Sequence, residues 1–119
     1  MILVDTSVWI DHLRRGEPSL AALLLNTQVL IHPLVIGELA MGNLARREEA
    51  LRWLSDLPQA VVATDDDVMS LITREALYGR GIGYVDAHLL ASTRLTSDAH
   101  LWTLDKRLAE VATAMGVVN

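Results

Sequence analysis

The sequence predicts an α/β/α sandwich around a mainly parallel central sheet of about four to five short strands, built as a single domain over residues 1–119. Short apolar runs alternate along the chain with longer segments of helical periodicity, the pattern of strands joined by helical crossovers. The runs are too short and too apolar to be surface helices. A length of 119 residues fits one buried core and leaves no room for a second.

Ile2-Leu3-Val4 is a buried strand ending in the polar turn Asp5-Thr6-Ser7, after which Val8, Trp9, Ile10 and Leu13 mark a helix. Ser19 to Leu25 is a second helical piece, and Val29-Leu30-Ile31 a second strand. Pro33 suits the first turn of a helix that carries Ile36 to Ala40. Arg46 to Leu57 places Ala50, Leu51, Trp53, Leu54 and Leu57 at helical spacing before Pro58 stops it. Ala60 to Ala63 is a third strand, and Thr64-Asp65-Asp66-Asp67 caps a helix expected over Val68 to Tyr78, ending at Gly79. After the loop GRGIGY, Asp86 opens a helix through Arg94. His100 to Leu104 is a fourth strand, Lys106 to Met115 a helix, and Val117-Val118 a last short strand.

Composition narrows the function. Hydrophobic residues make up 51% and net charge is only −5, which excludes a disordered chain. There is no cysteine, which removes a disulfide scaffold, a zinc-thiolate site and a thiol nucleophile. The start MILVDTSVW lacks the features of a signal peptide, and the apolar stretch 20–36 is interrupted by Asn26, Gln28 and His32. A soluble, cytoplasmic protein is the expectation. The acidic balance disfavours plain backbone binding to nucleic acid unless the excess is gathered at one site.

Four acids could form that site. Asp5 and Asp105 each end a strand, so parallel pairing can bring them to one edge of the sheet, where ligands of such folds gather. Asp86 stands at a helix start, and Glu38 interrupts an otherwise apolar helix, where a carboxylate needs a partner or a cation. An N-cap alone would explain Asp5, Asp86 or Asp105 singly. Together, each like-charged pair at about 4 Å would cost on the order of 4 kcal/mol at an effective dielectric of 20. A hard cation relieves this, and an all-oxygen set without a histidine pair favours Mg²⁺, with Mn²⁺ possible. Two divalent ions would offset four of the five excess negative charges, and the acidic balance then no longer opposes RNA.

Taken together, M-I-L-V-D-T-S-V-W-I, the glutamate of V-I-G-E-L, G-I-G-Y-V-D-A-H-L-L-A-S and L-W-T-L-D resemble a PIN domain, and more narrowly the VapC-type ribonuclease toxins of toxin–antitoxin pairs. The resemblance runs from residue 1 to about 115. It implies a PIN-like fold and a Mg²⁺-dependent endoribonuclease that hydrolyses RNA phosphodiester bonds. Asp5, Glu38, Asp86 and Asp105 would be its catalytic, metal-holding quartet, with Asp5 and Asp86 the more direct ligands. Thr6 or Ser7 would orient Asp5, and Thr103 would support Asp105. It further implies a cognate antitoxin that places a helix and a basic side chain in the acidic groove, and a homodimer. Arg80, Lys106 and Arg107 are candidates for RNA phosphates, although helix caps and surface charge explain them equally well.

The remaining features are expected to be structural. Gly79 to Gly83 follows a helix rather than a strand, so it is a turn and not a dinucleotide loop. His12, His32, His88 and His100 form no metal pair, and Trp9, Trp53 and Trp102 belong to apolar packing patterns. A non-catalytic binding module of the same fold is the alternative, and a nuclease assay separates the two. A receiver-type phosphoacceptor would want a second aspartate beside Asp5, where Thr6 and Ser7 stand.

Overall fold

The computed structural model describes residues 1–119 as a parallel sheet of three strands enclosed by seven helices. In chain order these are β1 (Ile2–Val4), α1 (Thr6–Arg15), α2 (Pro18–Leu25), β2 (Val29–Leu30), α3 (Pro33–Ala40), α4 (Arg47–Ser55), α5 (Asp65–Arg74), α6 (Tyr84–Leu95), β3 (His100–Trp102) and α7 (Lys106–Ala114). The Cα radius of gyration is 13.8 Å. No helix is long and apolar enough to cross a membrane.

The strand order is β2-β1-β3, with Leu3 in register with Leu30 on one side and Leu101 on the other. Single bridges extend the sheet at both edges, Ile31 to Gln59 and Leu101 to Val118, so five segments of chain lie side by side. β1 is wholly buried, as the middle strand of a sheet covered on both faces must be. It belongs to one hydrophobic core with Trp9, Leu20, Leu89, Leu90 and Leu108. On the helical side α3 packs on α1 and α4, while α6 packs on α5 and β3.

Several predicted elements differ in extent or kind. Ala60 to Ala63 is not a strand: only Gln59 bridges to Ile31. The backbone N–H of Val61 donates instead to Thr96 Oγ1 at 2.9 Å, and that of Ala63 to Ser92 Oγ at 3.2 Å. Ser92 of α6 and Thr96, the residue that caps its end, thus take donors that a neighbouring strand would use. The helix expected to run to Tyr78 stops at Arg74, where Ala76 adopts φ 49° and Leu77 N–H closes on the Ile72 carbonyl at 3.0 Å. This is a left-handed helix stop made without glycine. β3 ends at Trp102 because the Leu104 N–H turns to Ser7 Oγ at 3.0 Å.

The chain leaves β1 toward β2 on one side and later adds β3 on the other, so the direction of winding reverses at the carboxyl end of β1. In open parallel sheets such a reversal opens a crevice at the strand ends. Asp5 is the first residue beyond β1.

Candidate active site

Asp5 lies at the N-cap of α1, yet its side chain caps nothing. Its Oδ2 accepts hydrogen bonds from Thr103 Oγ1 at 2.7 Å and Ser7 Oγ at 2.8 Å. The Asp5 N–H continues the ladder to the Trp102 carbonyl at 2.9 Å, which locks the two strand ends together. Asp5 is 7% exposed, so those two hydroxyls fix a carboxylate that solvent barely reaches. Of Thr6 and Ser7, it is Ser7 that bonds Asp5. Thr103, expected to support Asp105, donates to Asp5 instead, and its oxygen accepts from the Asp105 backbone N–H at 3.0 Å, linking the two residues through one hydroxyl.

Thr6 serves a different acid: its Oγ1 donates to Glu38 Oε1 at 2.6 Å. Glu38 is exposed rather than sunk in the apolar core, since α3 buries Val35 and Leu39 and turns Glu38 outward toward α1. Asp105 caps α7 by accepting the Leu108 N–H on Oδ1 at 3.0 Å. Asp86 is the third residue of α6, which begins at Tyr84 rather than at Asp86 itself, and its Oδ2 accepts the Gly83 N–H at 3.0 Å. Capping and site-building therefore coexist. In each of the four carboxylates one oxygen is held by the protein, and the other has no protein partner.

The four groups share one electrostatic field. Asp86 has its pKa raised, first by burial of its charged form and further by repulsion from Asp5, Asp105 and Glu38; the Gly83 N–H opposes the shift. No three of the acids and histidines close into a ready-made coordination cage. Each is fixed by a different element around the crevice. The donor set suits a hard divalent cation all the same, since it is all oxygen, negative, and offers one uncommitted oxygen per carboxylate.

Two supports escaped the sequence reading. His32 caps α3, accepting the Leu34 N–H on Nδ1 at 3.0 Å, and its Nε2 meets Ser92 Oγ at 3.0 Å. Burial, helped by the nearby His88, lowers the His32 pKa, which keeps the ring neutral and able to accept at Nδ1. It therefore sets the start of the helix that carries Glu38. Its position directly before the first-turn Pro33 was the available signal. Across the crevice, Asp65 accepts from Tyr84 Oη at 2.9 Å and contacts His88 Nε2 at 3.0 Å, tying the start of α5 to the turn of α6 that bears Asp86. Those two contacts, Tyr84 first, hold the Asp65 carboxyl below its ordinary pKa.

Of the remaining candidates, Arg80 is exposed on the loop before α6, and Lys106 and Arg107 are exposed on the first turn of α7. Trp9 is fully buried, with Trp53 edge-on at a ring distance of 6.1 Å, while Trp53 itself is half exposed.

A family model described as PIN domain matches residues 2–114. Ribonuclease VapC32 of Mycobacterium tuberculosis (strain ATCC 25618 / H37Rv) is 50% identical over 117 residues, covering 98% of this chain and 94% of that protein. Ribonuclease VapC19 of the same strain is 36% identical over 118 residues, covering 90% of each.

Proposed function

We propose that this chain, which belongs to the PIN-domain family and within it to the VapC-type proteins, is a metal-dependent endoribonuclease that hydrolyses RNA phosphodiester bonds as the toxin of a toxin–antitoxin pair. The observation that carries the reading is the set of four carboxylates near the end of β1, three of which act electrostatically on Asp86, and each of which keeps one oxygen free of protein partners. Asp5, Glu38, Asp86 and Asp105 would hold Mg²⁺, or Mn²⁺ in its place. An ion held there would supply Lewis-acid stabilisation of charge at phosphorus and a more acidic water as nucleophile.

The protein's own part is preorganisation. Ser7 and Thr103 hold Asp5 at a fixed angle, and Thr6 holds Glu38. Such partners of ligating carboxylates commonly matter about 10–100-fold in affinity or activity. Burial and the neighbouring acids disfavour the charged form of Asp86, and a cation held there would relieve that.

An antitoxin as partner is supported by a groove of about 450 Å³ whose lining includes Ile10, Leu13, Leu39 and Leu44 and reaches Glu38. An amphipathic helix fits such a groove. A homodimer belongs to the same proposal, supported by exposed Val61, Val62, Met69 and Leu95. RNA as target puts the work of the protein in the cytoplasm.

The test is cleavage of total cellular RNA by the partner-free protein in Mg²⁺, in Mn²⁺ and in EDTA, beside an Asp5→Ala preparation. Discrete fragments that need the metal and are absent from Asp5→Ala are the expected result. RNA binding without cleavage in either metal would replace the enzyme by a binding module. Within the quartet, Glu38→Gln keeps an oxygen for Thr6 but loses the charge. It should raise the Mg²⁺ midpoint for cleavage by about tenfold. An unchanged midpoint would return Glu38 to the surface of α3.

A further inference from the structure

Arg107 stands in the first turn of α7, two residues beyond Asp105, and its side chain reaches the loop 79–83 that leads into Asp86. A methyl group at Gly81 would lie 2.6 Å from Arg107 Cδ and 3.0 Å from its Cζ, and Nη1 is nearer still. The arginine occupies the space that any other residue's Cβ would fill. Among the seven glycines no other would meet a neighbouring atom closer than 3.5 Å. Gly81 also has φ +80°, a left-handed conformation that suits glycine.

The guanidinium seated there is unpaired: the ion pairs of the protein use Arg15, Arg46, Arg94 and His88. An unneutralised cation, laid against backbone between the elements that carry Asp86 and Asp105, faces what an RNA substrate needs at this crevice. Its phosphates approach a cluster of acids, and a planar fork of donors at the rim can take one phosphate bidentately. A seated side chain also loses less rotamer freedom on binding than a waving one. Lys106 and Arg80 rest on no such glycine.

We propose that Gly81 is a positioning residue that seats Arg107 as a clamp for an RNA phosphate beside the bond to be cut. The inference rests on the ribonuclease reading. It goes beyond that reading by separating one arginine from the surrounding basic side chains and by giving a loop glycine a role in substrate binding.

The experiment compares Arg107→Ala, Arg107→Lys, Gly81→Ala, the Gly81→Ala/Arg107→Ala double variant and Gly79→Ala. Cleavage kinetics and fluorescence anisotropy are measured on a labelled single-stranded RNA of mixed sequence at several salt concentrations. Gly79 is the control for backbone strain, since it has φ +70° with nothing within 4 Å of an added methyl. Arg107→Ala should raise KM and the anisotropy Kd about tenfold, the scale of a charged hydrogen bond. It should leave kcat and the Mg²⁺ midpoint unchanged and flatten the log Kd against log salt slope by about 0.7. Arg107→Lys should restore the slope but only part of the affinity.

Gly81→Ala should match Arg107→Ala in KM, the double variant should be no worse than either, and Gly79→Ala should bind normally. Additive effects in the double variant, equal losses at Gly79 and Gly81, or an unchanged salt slope in Arg107→Ala would overturn the proposal. Anisotropy keeps the two readings apart. If the unaltered protein cleaves nothing yet loses RNA affinity in these variants, the nuclease fails and the clamp stands. If it cleaves normally and the variants bind as before, the clamp alone fails.

Discussion

Asp86→Asn is expected to abolish metal-dependent cleavage while leaving a folded and slightly more heat-stable protein. The loss should reach roughly 10²–10³-fold or more, the scale of removing one preorganised electrostatic group from a reacting centre. The gain in stability has a separate cause. Burial and three neighbouring acids raise the Asp86 pKa, so folding disfavours its charged form. Asparagine has nearly the same shape, its oxygen can still accept the Gly83 N–H, and it carries no charge. The pH dependence fixes the sign. A carboxyl with a raised folded pKa adds stability below the ordinary carboxylate pKa, and that contribution is lost as pH rises through the folded value. In EDTA, the unaltered protein should therefore lose stability across that window, and Asp86→Asn should lose less of it. Thermal melts at a series of pH values check this. An unaltered cleavage rate, or a melting temperature that falls at neutral pH, would remove Asp86 from the repelling cluster.

Leu3→Ala is expected to produce the largest loss of stability. Leu3 is fully buried in the central strand, with Leu30 and Leu101 in register on either side. A leucine-to-alanine change at such a site costs about 3–5 kcal/mol, combining lost transfer energy with the cavity left behind. That should lower Tm by roughly 10–20 °C in a domain of this size and could remove a third or more of a typical total stability of about 5–15 kcal/mol. Leu25→Ala is the matched comparison: this side chain is 87% exposed at the end of α2 and should shift stability by no more than about 0.5 kcal/mol. A drop at Leu3 below about 5 °C would mean that the sheet closes around the missing methyl groups.

The order of the elements was legible because local chemistry and tertiary context agree along most of the chain. Ile2 to Val4 could be read as a buried strand from three residues, and Thr64 to Asp67 as a helix start from its cluster of capping residues, which the structure closes into a capping box. Residues 60–63 misled because their donors bond to the side chains of Ser92 and Thr96, a pairing that local pattern cannot reveal. The end of α5 misled because Ala76 holds the left-handed position usually marked by glycine. Asp5, Asp86 and Asp105 were readable as strand ends or a helix start, and Glu38 as a charge inside an apolar helix segment. Their wiring was not, since it rests on contacts between residues far apart in sequence: Thr6 reaches across to Glu38, and Thr103 to Asp5.

That last contact bears on synthesis. The hydroxyl that fixes Asp5 arrives 98 residues after it, and the strand that completes the other edge of β1 begins only at His100. A chain emerging from the ribosome carries its first acid almost from the outset, but with one side of its strand unpaired and no Thr103 or Asp105 to complete the crevice. Contacts of such long sequence separation form late, after the cost of closing the intervening loop. The candidate site is therefore complete only when almost the whole chain is free to fold.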